Sequence, residues 1–238
     1  MIKLSVVIPA YNEERRLPKT LRAVDLYLKK QKYSYEIIVV SDGSKDRTVE
    51  VVQELPIKNL RVIDNKKNHG KGYVVRQGML KAKGEYRLFM DADNATTINH
   101  VEGMWPEFEK GNEVVICSRD ILGSVIAVPQ PLWRRKLGDV FNLIVQVLSG
   151  LWGIWDTQCG FKGFSAKAVQ DIFPKAVINR WAFDVELLVI ARRQGYNITE
   201  IPVTWINDAE SKVSFKGMVK MLLEVIDIRL NMVKRIYG

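Results

Sequence analysis

The sequence predicts an α/β protein of three layers, in which helices cover both faces of a mostly parallel central sheet. Apolar runs alternate with helix-like segments over the first ~95 residues, the pattern of successive β-α-β units with right-handed crossovers. The run at residues 36–40 is apolar on both faces, as expected for a parallel strand buried between helices. Each run ends in polar residues, so polar side chains should gather at one edge of the sheet.

The first half contains four predicted strands joined by three predicted helices. No G-x-G-x-x-G follows the first strand, so a dinucleotide site of the usual kind lacks its phosphate-binding turn. The strands are predicted at residues 4–8, 36–40, 60–64 and 86–90, and the helices at about 17–30, 48–55 and 73–81.

The second half is less regular and contains two long amphipathic segments. Residues 133–149 predict a helix with one narrow polar row and an apolar face wider than that of an ordinary surface helix. A final helix at about 214–237 would be roughly 35 Å long. Without a linker or repeat, we expect a single domain, with a nucleotide-binding half at 1–98 and an acceptor half at 99–238. Further elements are a strand at 114–118, a helix that begins within the stretch 179–188 and runs to about 194, and a strand at 198–205.

The composition is that of a globular protein with an excess of positive charge. The 238 residues are 47% hydrophobic, and the net charge of +9 favours anionic partners such as phosphates, nucleic acid or an acidic membrane surface. Two cysteines without a C-x-x-C motif argue against a zinc site or a disulfide framework, and predict a reducing compartment. No apolar run reaches the ~18–20 residues of a transmembrane helix, so we expect no transmembrane segment.

Two acidic residues, Asp91 and Asp93, follow the fourth predicted strand. Alternate residues of an extended segment point the same way, so both carboxylates can converge beyond the end of the strand. Such a pair is a hard oxygen site that suits Mg²⁺ or Mn²⁺ carrying a diphosphate. A D-x-D pattern also occurs in solvated turns, so its meaning depends on the motifs around it.

Four motifs surround and include this acidic pair: SVVIPAYNE at 5–13, VSDGS at 40–44, NHGKG at 68–72 and DAD at 91–93. Together they resemble the inverting family-2 glycosyltransferases. Three further stretches, DADNAT at 91–96, DTQCGFK at 156–162 and RWAFDVEL at 180–187, resemble the dolichyl-phosphate β-glucosyltransferases within that family. The resemblance covers nearly the whole chain, although the narrower family usually has Gly in place of Asn94.

The resemblance implies a GT-A, Rossmann-like fold and transfer of glucose from UDP-glucose to dolichyl (polyprenyl) phosphate, a lipid carrier for protein glycosylation. It also implies Mg²⁺ or Mn²⁺ as cofactor, held by Asp91 and Asp93. Asp42 or Glu13 can accept hydrogen bonds from the nucleoside, and the glycines beside Lys71 can let the backbone approach an anion. The implied donor-binding residues are Pro9, Ala10, Tyr11, Asn12, Glu13, Asp42, Gly43, Lys71, Asp91, Ala92 and Asp93.

One implied metal ligand is missing. Some related lipid-phosphate sugar transferases have Gln two residues after the second Asp, and this chain has Ala95 there. Water or another residue must therefore complete the metal shell.

The implied acceptor is a phosphate monoester, whose second pKa is near ~6. Its oxygen is already anionic at neutral pH, so the site must mainly hold one anion against another. Arginine is suited to this because it binds phosphate with two parallel hydrogen bonds. The candidate cations are Arg119, Arg134, Arg135 and Lys212, with the choice between Arg134 and Arg135 left open.

Asp156 is the first candidate for a catalytic carboxylate, as a base or as an orienting group, and Asp184 is the second. Asp184 can instead be a carboxylate stabilised by the N-terminus of its helix. We expect Asp93→Ala and Asp156→Ala to abolish glucosyl transfer and to leave the melting curve nearly intact.

A lipid acceptor must reach the site from a bilayer. The apolar face of residues 133–149, with Trp133, Trp152 and Trp155, suits a helix lying peripherally at the cytoplasmic membrane surface. The final helix is a second such element. Either helix can instead pack on the sheet or form a dimer, since amphipathicity does not distinguish these cases.

Other functions remain open from the sequence. A dolichyl-phosphate mannose synthase using GDP-mannose, or a lipid-phosphate transferase using UDP-GlcNAc, would share most of these motifs. The positive charge also allows a nucleic-acid-binding module, but the basic residues are scattered and no reader motif is present.

Overall fold

The computed structural model describes residues 1–127, 132–206 and 215–238, without the side chains of 132–137, 139–140 and 215–216. The first half alternates strands and helices, as the sequence predicts. Pro18 lies in the first turn of α1, where a missing backbone N–H removes no helical hydrogen bond. The elements are β1 (Leu4–Ala10), α1 (Leu17–Leu28), β2 (Tyr35–Asp42), α2 (Thr48–Gln53), β3 (Leu60–Asn65), α3 (Lys71–Lys81) and β4 (Tyr86–Met90).

The second half contains all the predicted elements and several shorter ones. The strand expected at 198–205 is two strands, which separate at Val203 and belong to different sheets. The elements are α4 (Val101–Glu109), β5 (Val114–Ser118), β6 (Val125–Ile126), α5 (Leu132–Ser149), β7 (Phe161–Ser165), α6 (Ala166–Ile172), α7 (Phe183–Arg193), β8 (Ile198–Pro202), β9 (Thr204–Trp205) and α8 (Phe215–Val233).

Within the described ranges, the main sheet has seven strands in the order β3-β2-β1-β4-β7-β5-β8. All neighbouring pairs are parallel except those that involve β7, which is antiparallel to both β4 and β5. The predicted, mostly parallel sheet is therefore confirmed. The direction of winding reverses between β1 and β4, and this is the position at which open α/β sheets bind ligands.

Side chains that alternate along each strand supply two hydrophobic layers. Val7, Val40 and Phe89 face a layer that includes α3, α6 and α7, whereas Val6, Val39 and Leu88 face α1 and α4. Both layers combine residues from the first ninety positions with residues from the second half. The carboxyl ends of the parallel strands are thus held in fixed register by a core on each face.

The antiparallel strand β7 was not predicted from the sequence. Lys162 interrupts its apolar pattern, although the lysine side chain is fully buried. Because β7 runs against its neighbours, the residues that precede it lie at the same edge as the residues that follow β4 and β5. This topology brings the DTQCGFK motif to the edge where Asp91 is found.

Apolar side chains remain exposed on α5, on α8 and on the loop after α5. Val219, Leu223, Ile226, Leu230 and Val233 of α8 are each at least 40% exposed. No helix in the described part of the chain combines the length and hydropathy needed to cross a membrane. Leu143, Val147, Trp152 and Trp155 extend this exposed apolar surface.

Candidate active site

The loops after β1, β2 and β4 meet at one edge of the sheet. Val7 of β1 pairs with Phe89 of β4, and Ala10 pairs with Ser41 of β2. Continuing the first register by two residues places Asp91 beside Pro9. The edge therefore gathers the first, second and fourth motifs, as the sequence predicts from the direction of the strands.

Asp91 is fixed by contacts with two distant segments. Its backbone N–H donates to the Gly160 carbonyl at 3.0 Å, and its Oδ1 lies 2.6 Å from the Lys71 ammonium. A Cβ added to Gly160 would lie 2.1 Å from Asp91 Oδ2, closer than real Cβ contacts. Gly160 is therefore required for the carboxylate of Asp91 to take this position.

Asp93 lies close enough to Asp91 for the two charges to interact. Burial and the charge of Asp91 raise the pKa of Asp93, although its Oδ1 accepts a hydrogen bond of 3.0 Å from the Ala95 N–H. Two mutually repelling carboxylates favour the binding of a cation between them. The described residues include no cluster of three His, Cys, Asp or Glu side chains suited to a metal, so a cation here would need further oxygens from water or a ligand.

Asn94 gives the turn after Asp93 its shape. Its φ of +58° is left-handed, a conformation that Gly adopts freely and Asn tolerates better than most other residues. The Asn94 Oδ1 atom is buried, with no hydrogen-bond partner in the described structure. An orphaned oxygen beside two carboxylates is consistent with a cation site.

Lys71 begins α3 and lies between the acidic residues. Although burial alone would lower its pKa, the charges of Asp91 and Asp184 raise the pKa of Lys71 to about 12. The flanking glycines do not provide open space for an anion, contrary to the sequence-based interpretation. A Cβ at Gly70 would lie 2.3 Å from the Asn179 carbonyl oxygen, and one at Gly72 would lie 2.5 Å from the Phe183 Cβ. These glycines instead let the chain at 178–183 pack against the loop.

Asp42 holds the same loop from the other side. Its carboxylate accepts the backbone N–H groups of His69 at 2.7 Å and Gly70 at 2.9 Å, and its side chain is almost fully buried. Gly43 follows with a φ of +69°. Asp42 thus positions Lys71 through the loop backbone, and its predicted contact with a nucleoside remains a prediction.

The loop after β1 is tied to the loop after β2. Asn12, with a φ of +55°, accepts the Lys45 N–H at 2.8 Å and donates its own N–H to Ser44 Oγ at 3.1 Å. Glu13 is ion-paired with Arg16 at 2.6 Å. Tyr11 is partly exposed between these loops, and Pro9, Ala10 and Ala92 lie at the strand ends behind it.

Asp156 is fully buried and bound to Arg119. Its Oδ2 accepts the Arg119 Nε–H at 2.6 Å, and its Oδ1 accepts from Nη2 at 2.9 Å. The backbone N–H groups of Arg119, Gln158 and Cys159 also donate to this carboxylate. Burial alone would raise the pKa of Asp156, but the Arg119 charge and these hydrogen bonds lower it to about 2. Of the two roles predicted for Asp156, this placement favours the orienting role over that of a base.

Asp184 is buried at the start of α7 and is paired with Lys162 at 2.5 Å. Burial raises the pKa of Asp184, while the ammonium groups of Lys162 and Lys71 oppose that rise. Lys162 also donates to the Cys159 carbonyl at 2.7 Å. The pairs Lys162–Asp184 and Lys71–Asp91 therefore form a chain of alternating charges that leads to Asp93.

Three residues of the site, Gly160, Lys162 and Trp205, are not predicted from the sequence. Gly160 and Lys162 belong to the DTQCGFK motif, but only the antiparallel direction of β7 explains why they reach Asp91 and Asp184. The Trp205 ring centroid lies 5.3 Å from the Arg119 Cζ. The side chains of Arg134 and Arg135, and all of Lys212, lie outside the described residues.

The strand order and the acidic loops at the switch point place the protein among the open α/β proteins, which bind ligands at the carboxyl ends of their strands. The family model described as glycosyl transferase family 2 matches residues 5–173. The chain belongs to this family, as its motifs predict.

Two similar proteins from distant organisms carry the same name. It is 39% identical to a dolichyl-phosphate β-glucosyltransferase of Dictyostelium discoideum, over 96% of this chain and 74% of that protein. The human dolichyl-phosphate β-glucosyltransferase is also 39% identical, over 96% of this chain and 75% of its own length.

A solved structure supports the fold. Glucosyl-3-phosphoglycerate synthase of Mycobacterium tuberculosis, in complex with Mn²⁺, UDP-glucose and phosphoglyceric acid, matches with a TM-score of 0.70. That match covers 97% of this chain and 79% of the synthase, at 16% identity. At this level of identity the likeness concerns the fold alone, and it confirms the predicted GT-A architecture.

Proposed function

We propose that the protein is a dolichyl-phosphate β-glucosyltransferase, which transfers glucose from UDP-glucose to dolichyl phosphate with inversion at the anomeric carbon. The observation that carries the proposal is the 39% identity, over 96% of the chain, with relatives of that name. The acidic edge of the sheet supplies the chemistry that such a transfer needs.

In the proposed donor site, the nucleoside lies between the loop at residues 10–14 and the loop at residues 42–48. Asp91 and Asp93 would hold Mg²⁺ or Mn²⁺, and the metal would supply positive charge to offset the charge that develops on the departing UDP. Lys71, already directed at Asp91, adds a second positive charge beside the diphosphate.

The acceptor needs orientation more than deprotonation. At neutral pH its phosphate is largely dianionic, so an oxygen can attack the anomeric carbon as UDP leaves. Arg119 is the described candidate for binding this phosphate, because its side chain is 27% exposed and its guanidinium is held by Asp156. Arg134, Arg135 and Lys212 remain further candidates.

The two buried aspartates act through lysine and arginine in this proposal. Asp156, with a pKa of about 2, stays ionised and orients Arg119. Asp184 balances the charges of Lys162 and Lys71, and so supports the arrangement around Asp91. Neither needs to accept a proton from the substrate.

We also place the protein peripherally on the cytoplasmic face of a membrane. The exposed apolar side chains of α5 and α8, with Trp152 and Trp155, can enter the interfacial region, while the excess of Lys and Arg attracts anionic lipid. Cys117 and Cys159 are both free and buried, in keeping with a reducing compartment.

A donor screen tests the activity. Purified protein is incubated with dolichyl phosphate, Mn²⁺ and radiolabelled UDP-glucose, GDP-mannose or UDP-GlcNAc, and the label in the lipid phase is counted. We expect label from UDP-glucose alone. Preferential transfer from either other donor would reassign the sugar, and no transfer from any donor would contradict the proposed reaction.

A further inference from the structure

The Arg119 guanidinium is held on two sides by different parts of the chain. Asp156 binds its Nε and Nη2 atoms at 2.6 and 2.9 Å, which fixes the plane of the group. The Trp205 ring centroid lies 5.3 Å from Cζ, within the range of a cation–π contact. Among the described residues, Nη1 has no hydrogen-bond partner, so its N–H groups remain able to bind an anion.

Trp205 ends the short strand β9, which is attached to the loop that carries Asp93. The Ile206 N–H donates to the Ala95 carbonyl at 3.0 Å, and the Thr204 N–H donates to His100 Nε2 at 3.0 Å. The residues on both sides of Trp205 are therefore anchored to the segment at 93–100. On its other edge, β9 pairs with β6.

We propose that Trp205 is a positioning residue that holds Arg119 for the acceptor phosphate and couples this arginine to the metal-binding loop. The inference rests on the proposed function and extends it to a residue that no motif indicates. Asp156 fixes the plane of the guanidinium, and the indole limits its rotation out of that plane. A shift of the loop at 93–95 when the donor binds is transmitted to Trp205 through the Ile206–Ala95 hydrogen bond.

The coupling has a physical purpose in this reaction. The donor diphosphate and the acceptor phosphate are both anions and repel each other. The acceptor phosphate therefore binds more tightly if a cation is correctly placed beside it while the donor site is filled. A flexible arginine would lose conformational entropy on binding the phosphate, whereas an arginine already held by Asp156 and Trp205 loses less. The predicted effect of Trp205 is therefore on acceptor affinity.

The test compares Trp205→Leu and Trp205→Phe with the wild type, using a short, water-soluble prenyl phosphate so that membrane binding does not contribute. We expect Trp205→Leu to raise the acceptor KM about five- to tenfold and to change the UDP-glucose KM less than about twofold, since an aromatic–cation contact is a modest interaction. Trp205→Phe, which retains a ring, should recover most of the acceptor affinity.

A double-mutant cycle with Arg119→Lys tests whether Trp205 acts through Arg119. In the Arg119→Lys background, Trp205→Leu should have little further effect on the acceptor KM, because the planar group that the indole stacks on is gone. Additive effects of the two substitutions would overturn the proposal. An equal rise in both KM values, or no change in either, would do so too.

A binding measurement separates this inference from the proposed reaction. Calorimetry of the prenyl phosphate, with and without UDP and Mn²⁺, should show tighter binding in their presence for the wild type, and a smaller enhancement for Trp205→Leu. If UDP and Mn²⁺ tighten prenyl phosphate binding equally in the wild type and in Trp205→Leu, the proposed coupling is wrong. If the wild type binds the prenyl phosphate in this way but transfers no sugar, the reaction is wrong and the positioning role stands.

Discussion

Gly160 determines the position of a carboxylate that is distant from it in sequence. Gly160→Ala would place a Cβ 2.1 Å from Asp91 Oδ2, so the carboxylate must leave its present position. We expect the affinity for Mn²⁺ to fall about tenfold or more, because coordination tolerates displacements of only a few tenths of an ångström. Calorimetric titration of Mn²⁺ in the presence of UDP measures the change.

Gly138→Ala is the matched control for this substitution. Gly138 lies within α5, and no heavy atom of the described residues lies within 4 Å of the Cβ that it would gain. The added methyl group should leave Mn²⁺ affinity unchanged and stabilise the helix by about 1 kcal/mol at most. Equal Mn²⁺ affinities for the two variants and the wild type would show that Gly160 does not set the metal site.

Asp156 should contribute to the stability of the fold in a pH-dependent way. Its pKa is about 2 in the fold, below the ordinary value of 3.8, so the folded state binds fewer protons than the unfolded state. Its contribution, about 2 kcal/mol, is complete above about pH 4 and is lost as the pH falls towards 2. Urea unfolding at a series of acidic pH values measures this loss.

Asp156→Asn provides the comparison. It leaves the partly exposed Arg119 charge without its counter-ion, so we expect a loss of about 2–3 kcal/mol at neutral pH and a shallower dependence on acid. Parallel stability–pH curves for both proteins would contradict this account. By the same reasoning, the expectation that Asp156→Ala leaves the melting curve nearly intact is revised, because that expectation came from sequence, which does not reveal how deeply the carboxylate is buried.

At the residue scale, the sequence was informative where a local pattern was enough. Asp91 and Asp93 were placed at the sheet edge because they directly follow an apolar strand. The partners of Asp156 and Asp184 could not be predicted, since Arg119 and Lys162 reach them only through the sheet pairing of β5 and β7. The metal, donor and acceptor roles of these residues remain predictions.

The end of α8 is anchored by a tyrosine. Tyr237 is fully buried, and its hydroxyl donates to Glu186 Oε1 at 2.8 Å. Burial raises the pKa of Glu186, whose carboxylate also accepts the N–H groups of Val177 and Ile178. We expect Tyr237→Phe to lower the free energy of unfolding by about 2 kcal/mol, because a buried carboxylate loses a hydrogen bond. Urea unfolding at neutral pH measures the loss.

Tyr196→Phe is a control at a more accessible site. The Tyr196 hydroxyl donates to Asp171 at 2.5 Å, and water can replace this partner at the partly exposed position. Its removal should cost less than about 1 kcal/mol. A similar loss for both variants would indicate that the Tyr237 hydroxyl has no special part in anchoring α8.

At the element scale, long periodic segments were predicted well and short ones were not. The first four strands and the helices between them were identified because apolar runs of a parallel sheet contrast strongly with their amphipathic connections. The strands β6 and β9 have only two residues each, too few for any periodicity. β7 combines two phenylalanines with a buried lysine, so its pattern indicates neither a buried strand nor a half-exposed one.

The exposed apolar surface of the whole molecule should bind membranes. Leu223 and Leu230 of α8 are 57% and 48% exposed. We expect the double variant Leu223→Glu, Leu230→Glu to lose about tenfold or more in binding to vesicles that contain anionic lipid, because each change removes apolar area and adds repulsion. Flotation of the protein with vesicles on a density gradient measures the bound fraction.

Leu26→Glu controls for the added charge. Leu26 is 62% exposed on α1, which packs on the other hydrophobic layer from α5 and α8, so this variant should float as the wild type does. Wild-type protein that stays in the soluble fraction would contradict the membrane assignment. If the wild type sediments as a dimer and the α8 double variant does not, this face would instead be assigned to self-association, the alternative that the sequence left open.

The position of β7 has a consequence for synthesis of the chain on the ribosome. β4 needs β7 as its neighbour, yet residues 161–165 are translated well after β4. At ~5–20 residues per second, one side of β4 lacks its hydrogen-bonding partner for several seconds. An open strand edge next to Leu88, Phe89 and Met90 is prone to aggregate, so the nascent protein should depend on chaperones during this interval.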